Sequence, residues 1–231
     1  TPLRFMPPEL MNYQGRALVI DPDVFAAGSV NELLDRDMQG KAILARPRPG
    51  HNGDPDYIAT SVMLLDCAKL QHWNLRKDFE ELFELKRDYD QWIILADQQR
   101  ASIGALEPEW NDFDRLTPDT RLLHTTKRRT QPWKTGLPID YTNRIPVPLL
   151  GKLLDNNGFR LPLRYKRHPD PRQEAFFFAL LQECLDAGSV TPGMIEREMA
   201  LNHLRRDAFE VLRQTPPLDR VMQDMPVSVT G

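Results

Sequence analysis

Short, unbroken apolar runs punctuate the first part of the chain: Ala17-Leu18-Val19-Ile20, Ala42 to Ala45, and Val62 to Leu65. Runs this short without polar alternation predict strands of a sheet covered on both faces. Between the first two, Ser29-Val30-Asn31-Glu32-Leu33-Leu34 predicts a short helix, with Ser29 as its cap and Glu32 three positions on. Strands alternating with helical segments are an α/β signature. Residues 46–55, RPRPGHNGDP, are dense in turn formers and predict an exposed loop.

From position 66 to 99 the period turns helical. Phe79, Leu82, Phe83 and Lys86 share one face, and Trp92, Leu95 and Ala96 continue a stripe expected to be core. A later strand-like run, Arg121-Leu122-Leu123, ends at His124. The texture changes near Pro146, after which Gln173 to Ala187 predicts a helix with Phe176, Leu180 and Cys184 on one face. Thr191-Pro192 then supplies a cap and a first-turn proline for a second helix reaching about Arg213. The expected organisation is a core over 1–145 and a linker with a C-terminal helical segment over 146–231.

Composition narrows the class. A chain of 231 residues, 41% hydrophobic, is long enough for one substantial domain with a buried core. Its 30 basic and 33 acidic residues give a formal charge of −3, which excludes a global electrostatic footprint for nucleic acid or an anionic membrane. Only Cys67 and Cys184 are present, without metal-ligand spacing, so a reducing, cytoplasmic setting is expected rather than a disulfide framework. No apolar stretch approaches the roughly 20 residues of a membrane span.

Candidate chemistry begins at Asp21-Pro22-Asp23, two carboxylates at the carboxyl end of the first apolar run. Hard divalent cations favour such oxygen ligands, and phosphates complete their coordination. Alone, the pair is equally explained by turn chemistry beside proline. A neutral His124 imidazole can complete a site that two aspartates begin, although a hydrogen-bonded boundary histidine is the plainer reading. The segment after it, Thr125 to Lys134, carries cations and hydroxyls suited to phosphate contact or simply a solvated basic loop. Asp88 is expected to cap a helix, whereas Asp90 and Gln91 are candidates to face a polar pocket.

In order along the chain, several of these pieces resemble glycosyltransferase family 8 and its bacterial relatives. Phe5-Met6-Pro7-Pro8-Glu9-Leu10, Asn12 to Leu18 and Asp21-Pro22-Asp23 look like the segment around the family's metal motif. Thr60 to Asp66 resembles its Asn-Ser/Thr-Gly-Val strand, Asp90-Gln91 its Asp-Gln helix start, and His124 with Gln131-Pro132-Trp133 its late histidine and Pro-Trp motif. Weak motifs in one order weigh more together than singly. The resemblance covers about Phe5 to Trp133.

What it implies is an α/β, GT-A-like core, an incomplete Rossmann-like nucleotide-diphospho-sugar transferase fold with a C-terminal helical appendage. It further implies a manganese (Mn2+) or magnesium (Mg2+) ion held by Asp21, Asp23 and His124. Asp90 and Gln91 would stand at the catalytic side near the sugar, and Lys127, Gln131 and Trp133 would contact the donor. The implied partners are a nucleotide-diphosphate sugar, most plausibly a UDP-sugar, and an acceptor that is a sugar, lipid or protein. Ala59 and Ser61 stand where the family often has asparagine and glycine. The family's first nucleotide-binding strands precede the metal motif, and with about 20 residues before Asp21 the expectation is a core that lacks them. The competing class is a noncatalytic nucleotide- or glycan-binding module of the same fold; a metal-dependent phosphohydrolase would explain the carboxylates but not the order of the other motifs.

Overall fold

A computed structural model describes residues 2–50, 57–141 and 163–223. The chain divides into two compact units, 1–115 with 119–126, and 116–118 with 127–231. Strands and helices together make it a mixed α/β protein.

The first unit holds the strands β1 (Arg16–Ile20), β2 (Val24–Ala26), β3 (Ile43–Arg48), β4 (Tyr57–Asp66), β5 (Ile103–Ala105), β6 (Asp112–Phe113) and β7 (Leu122–His124). They form one sheet in the order β1-β4-β3-β5 and a smaller one in the order β2-β7-β6. In the larger sheet β4 lies between β1 and β3 and is antiparallel to both, while β5 runs parallel to β3.

The apolar runs become rows of side chains across this sheet. Val19, Met63 and Ala45 are in register, as are Leu18, Leu64 and Leu44, and Ala17, Leu65 and Ile43. The first and third rows enter a core with Phe5, Leu70, Trp73, Trp92 and Leu95. The middle row enters a core on the other face with Leu33, Met38, Leu106, Trp110 and Leu122. Both faces are therefore covered, and unbroken apolarity follows because successive residues alternate between two dry faces.

The ladder between β3 and β4 is irregular at one point. Ala45 pairs with Met63 but Arg46 pairs with Ala59, so Thr60, Ser61 and Val62 have no partner on β3. Beyond this bulge β3 continues through Arg46-Pro47-Arg48, where a loop was expected from the turn formers. Pro47 is tolerated because β5 pairs only with Ile43 to Ala45, leaving the rest of β3 an edge on that side. Residues 51–55 of the expected loop lie outside the described residues.

The helices of this unit are shorter than their periodicity suggests. They are α1 (Pro7–Leu10), α2 (Asn31–Leu34), α3 (Leu75–Phe83) and α4 (Tyr89–Ile93). Val30, not Ser29, occupies the cap position of α2, without a side-chain hydrogen bond. The stripe expected over 66–99 is interrupted at Leu85 and Leu95, both left-handed with φ of 57° and 61°. Trp92 and Leu95 are buried as expected, but Phe79 and Phe83 are 43% and 76% exposed and pack edge-to-face on each other. The α3 residue that is buried is Asp78, whose carboxylate takes a 2.9 Å bond from Arg87.

In the second unit the described helices are α5 (Pro171–Asp186), α6 (Pro192–Ala200), α7 (Ala208–Gln214) and α8 (Leu218–Gln223). Asp170 caps α5 and Thr191 caps α6, each followed by proline. Phe178, Ile195, Leu204, Ala208 and Leu212 make their core, so the apolar stripe is packing. The second helix expected to run to Arg213 is broken in two. Asn202 is left-handed at φ 58°, and buried Arg205 turns inward to Glu174 at 2.6 Å while binding Asp207 through both oxygens.

Candidate metal centre

β1 ends at Ile20, and the four residues Asp21-Pro22-Asp23-Val24 close a turn in which the Val24 amide donates to the Asp21 carbonyl at 3.1 Å. Proline at the second position presets the backbone for such a turn. The turn is tied at both ends. The Asp21 amide donates to the Ser61 carbonyl of β4 at 2.8 Å, on the larger sheet. The Asp23 carbonyl accepts from the amide and hydroxyl of Thr125 at 3.0 and 2.9 Å, just past β7 of the smaller sheet.

His124 ends β7, paired with Val24 on β2 and with Phe113 on β6. This pairing brings its imidazole, 8% exposed, to the carboxylates of a turn a hundred positions earlier. Nε2 lies 3.4 Å from Asp23 Oδ1, and one ligand atom from each of Asp21, Asp23 and His124 lies within 4.8 Å of the other two. Two ligands holding one ion at about 2.0–2.6 Å each stand at most about 5 Å apart, so the cluster has the span for a single cation. Two carboxylates and an imidazole are also the donor types a divalent first-row ion accepts.

Around these three stand Arg4 and Asn111, which no motif announced, and Thr60 and Ser61 of the resembling β4 segment. Arg4 donates through one terminal nitrogen to both oxygens of Asp21 at 2.9 and 2.8 Å, and through the other to Thr60 Oγ1 at 2.5 Å. Thr60 in turn donates to the Ile93 carbonyl at the end of α4. A carboxylate has about four lone-pair sites, so Arg4 leaves Asp21 able to ligate while cancelling one of the cluster's two negative charges. On the far side of His124, Nδ1 is 2.9 Å from Asn111 Oδ1, and Asn111 Nδ2 is 2.9 Å from Ser61 Oγ. Asn111 is fully buried. Its turn is held by Arg46, which donates to the Asn111 carbonyl at 2.5 Å and lies 4.5 Å over the Phe113 ring. Burial holds that guanidinium below its usual value.

Asp88 caps α4, accepting from the Gln91 amide at 2.9 Å, as its position suggested. Asp90 and Gln91 stand on α4 with exposed side chains and are not members of the ligand cluster. Lys127, Gln131 and Trp133 belong to the second unit, where Trp133 packs on Phe177 with ring centroids 5.2 Å apart.

No family model matches the chain, and no curated protein matches it. Among solved structures it is similar to the glycosyltransferase GlyE of Streptococcus pneumoniae TIGR4, with a TM-score of 0.44 and 15% identity over 69% of this chain and 47% of GlyE. It is also similar to the galactosyltransferase LgtC in complex with donor and acceptor sugar analogs, with a TM-score of 0.44 and 15% identity over 69% of this chain and 67% of LgtC. For mouse xyloside xylosyltransferase 1 the TM-score is 0.38 and the identity 16%, over 54% of this chain and 63% of that one. The chain spans about half the length of GlyE.

Proposed function

We propose that this chain carries the metal site of a retaining glycosyltransferase that moves a hexose from a nucleotide-diphosphate sugar, a UDP-sugar by resemblance, to an acceptor. The carrying observation is the convergence of Asp21, Asp23 and His124, residues of the resembling motifs, into one cluster of cation-binding span. Manganese is the proposed ion, with magnesium as the other candidate. A bound ion supplies positive charge to a departing diphosphate, so that oxygen needs no proton donor.

The chain's own residues orient that chemistry. The Asp21-Pro22-Asp23 turn presents both carboxylates from anchored backbone, and β7 presents the imidazole between two strands. Lys127, Gln131 and Trp133 are proposed as donor contacts, and Asp90 and Gln91 as residues on the sugar side, all by the resemblance.

Release of nucleoside diphosphate from a panel of UDP-sugars, with and without manganese, tests the reading. Release is expected to need manganese and to fall on the order of 100-fold or more in Asp23→Asn, since a ligand should matter at least as much as the partners behind it. Asp35→Asn, exposed beyond α2, is expected to leave it unchanged. Manganese binding without release from any donor would favour the noncatalytic module; release indifferent to both metal and Asp23→Asn would remove the mechanism.

A further inference from the structure

Ser61 and Asn111 are polar, buried and fifty positions apart, and nothing in the motifs assigns either a task. They are hydrogen-bonded to each other, and Asn111 also reaches His124. The Asn111 amide spans the two, its nitrogen on Ser61 Oγ and its oxygen on His124 Nδ1, both at 2.9 Å. An oxygen facing Nδ1 can only accept, so in this arrangement the ring carries its proton on Nδ1. Nε2 then keeps its lone pair, directed to the side where Asp23 Oδ1 stands 3.4 Å away. That separation is longer than a good N–H···O bond, consistent with an Nε2 that is not donating.

We propose that Asn111, itself anchored by Ser61, is a positioning residue that holds His124 in the Nδ1–H tautomer and so reserves Nε2 for a divalent cation. The inference rests on the metal reading above and adds residues to it. The bulge in the β3–β4 ladder gives it a structural basis, because Ser61 is one of the three β4 residues without a β3 partner. A serine where the resembling family often has glycine thereby gains a use: a glycine there would leave the buried Asn111 amide nitrogen without this acceptor, a loss that buried polar groups tolerate poorly. Orienting partners behind a metal-binding imidazole fix both tautomer and ring plane, and their loss typically weakens binding about 10–100-fold.

The test reads the tautomer and the metal separately. In the full chain labelled with 15N-histidine, with His124 assigned by comparison with His124→Gln, the metal-free protein above the imidazole pKa is expected to show a protonated Nδ1 and a bare Nε2. Asn111→Leu is expected to move the proton toward Nε2 and to weaken manganese binding about 10–100-fold by titration calorimetry. Asn111→Asp, whose carboxylate also accepts from Nδ1, is expected to restore the tautomer and most of the affinity. Should Asn111→Leu not fold, Ser61→Ala, which removes only the anchor, is expected to shift the tautomer in the same direction. A proton resident on Nε2 of the native chain, or a tautomer unmoved in every folded variant, overturns the proposal. An Nδ1–H ring held by Asn111 in a chain that binds no manganese supports the positioning and instead overturns the metal reading.

Discussion

At the scale of single residues, charge neutralisation governs both units. Arg4 beside Asp21 halves the formal negative charge of the cluster of Asp21, Asp23 and His124. In the helical unit, two hydrogen bonds from Arg205 hold the Asp207 carboxyl below its usual range. A lowered carboxyl pKa in the folded state contributes stability above the unfolded value of about 3.9 and loses it as pH falls through the folded value. Asp207→Asn is therefore expected to lower the urea midpoint most near neutral pH, with the gap to the native chain closing as pH falls below about 4. A gap constant with pH would show that packing rather than ionisation supplies the contribution. Asp21, Asp23 and His124 were legible in the sequence because carboxylates and imidazoles are ligand types wherever they stand. Arg4 and Asn111 were not, since each is an ordinary residue until folding brings it to a partner far along the chain, and Ser61 was visible only as a departure from the resembling motif.

At the scale of elements, periodicity identified strands and helices but not which face another element covers. The runs at 17–20, 42–45 and 62–65 became adjacent strands of a sheet covered on both faces, where apolarity needs no alternation. The Phe79–Phe83 face is helical as read, yet the unit packs other residues against its core and leaves those rings outside. The break between α6 and α7 was invisible for a different reason: it serves the Glu174–Arg205 pair, a contact across elements. Close packing also makes a glycine critical where no turn needs one. Gly104 on β5 sits so near β3 that an added Cβ would meet Leu44 Cδ2 at 2.5 Å and Lys41 Cγ at 3.0 Å. Gly104→Ala is expected to destabilise the protein by about 1–3 kcal/mol through overpacking, measurable by denaturant unfolding. An unchanged midpoint would mean that Leu44 repacks freely.

At the scale of the whole molecule, the two sheets of the first unit share no strand among the described residues. At the site they are joined by the Asp21-Pro22-Asp23 turn, bonded to β4 at one end and to the residue after β7 at the other, and by the Ser61–Asn111–His124 chain. An ion bound by both carboxylates and His124 would act as a clasp across that seam, converting ligand concentration into mechanical cohesion. Occupancy at 100 times the dissociation constant adds about 2.7 kcal/mol to a folded state that alone binds it. Manganese is accordingly expected to raise the melting temperature by a few degrees, an effect abolished by chelator and by Asp23→Asn; a melting temperature indifferent to manganese would break the link. Amide exchange at Val24 and Thr125, the two seam positions, should slow first as metal is added, ahead of the strand centres. Cohesion and chemistry would then share one switch, and a chain starved of metal would loosen along the line where its sheets meet.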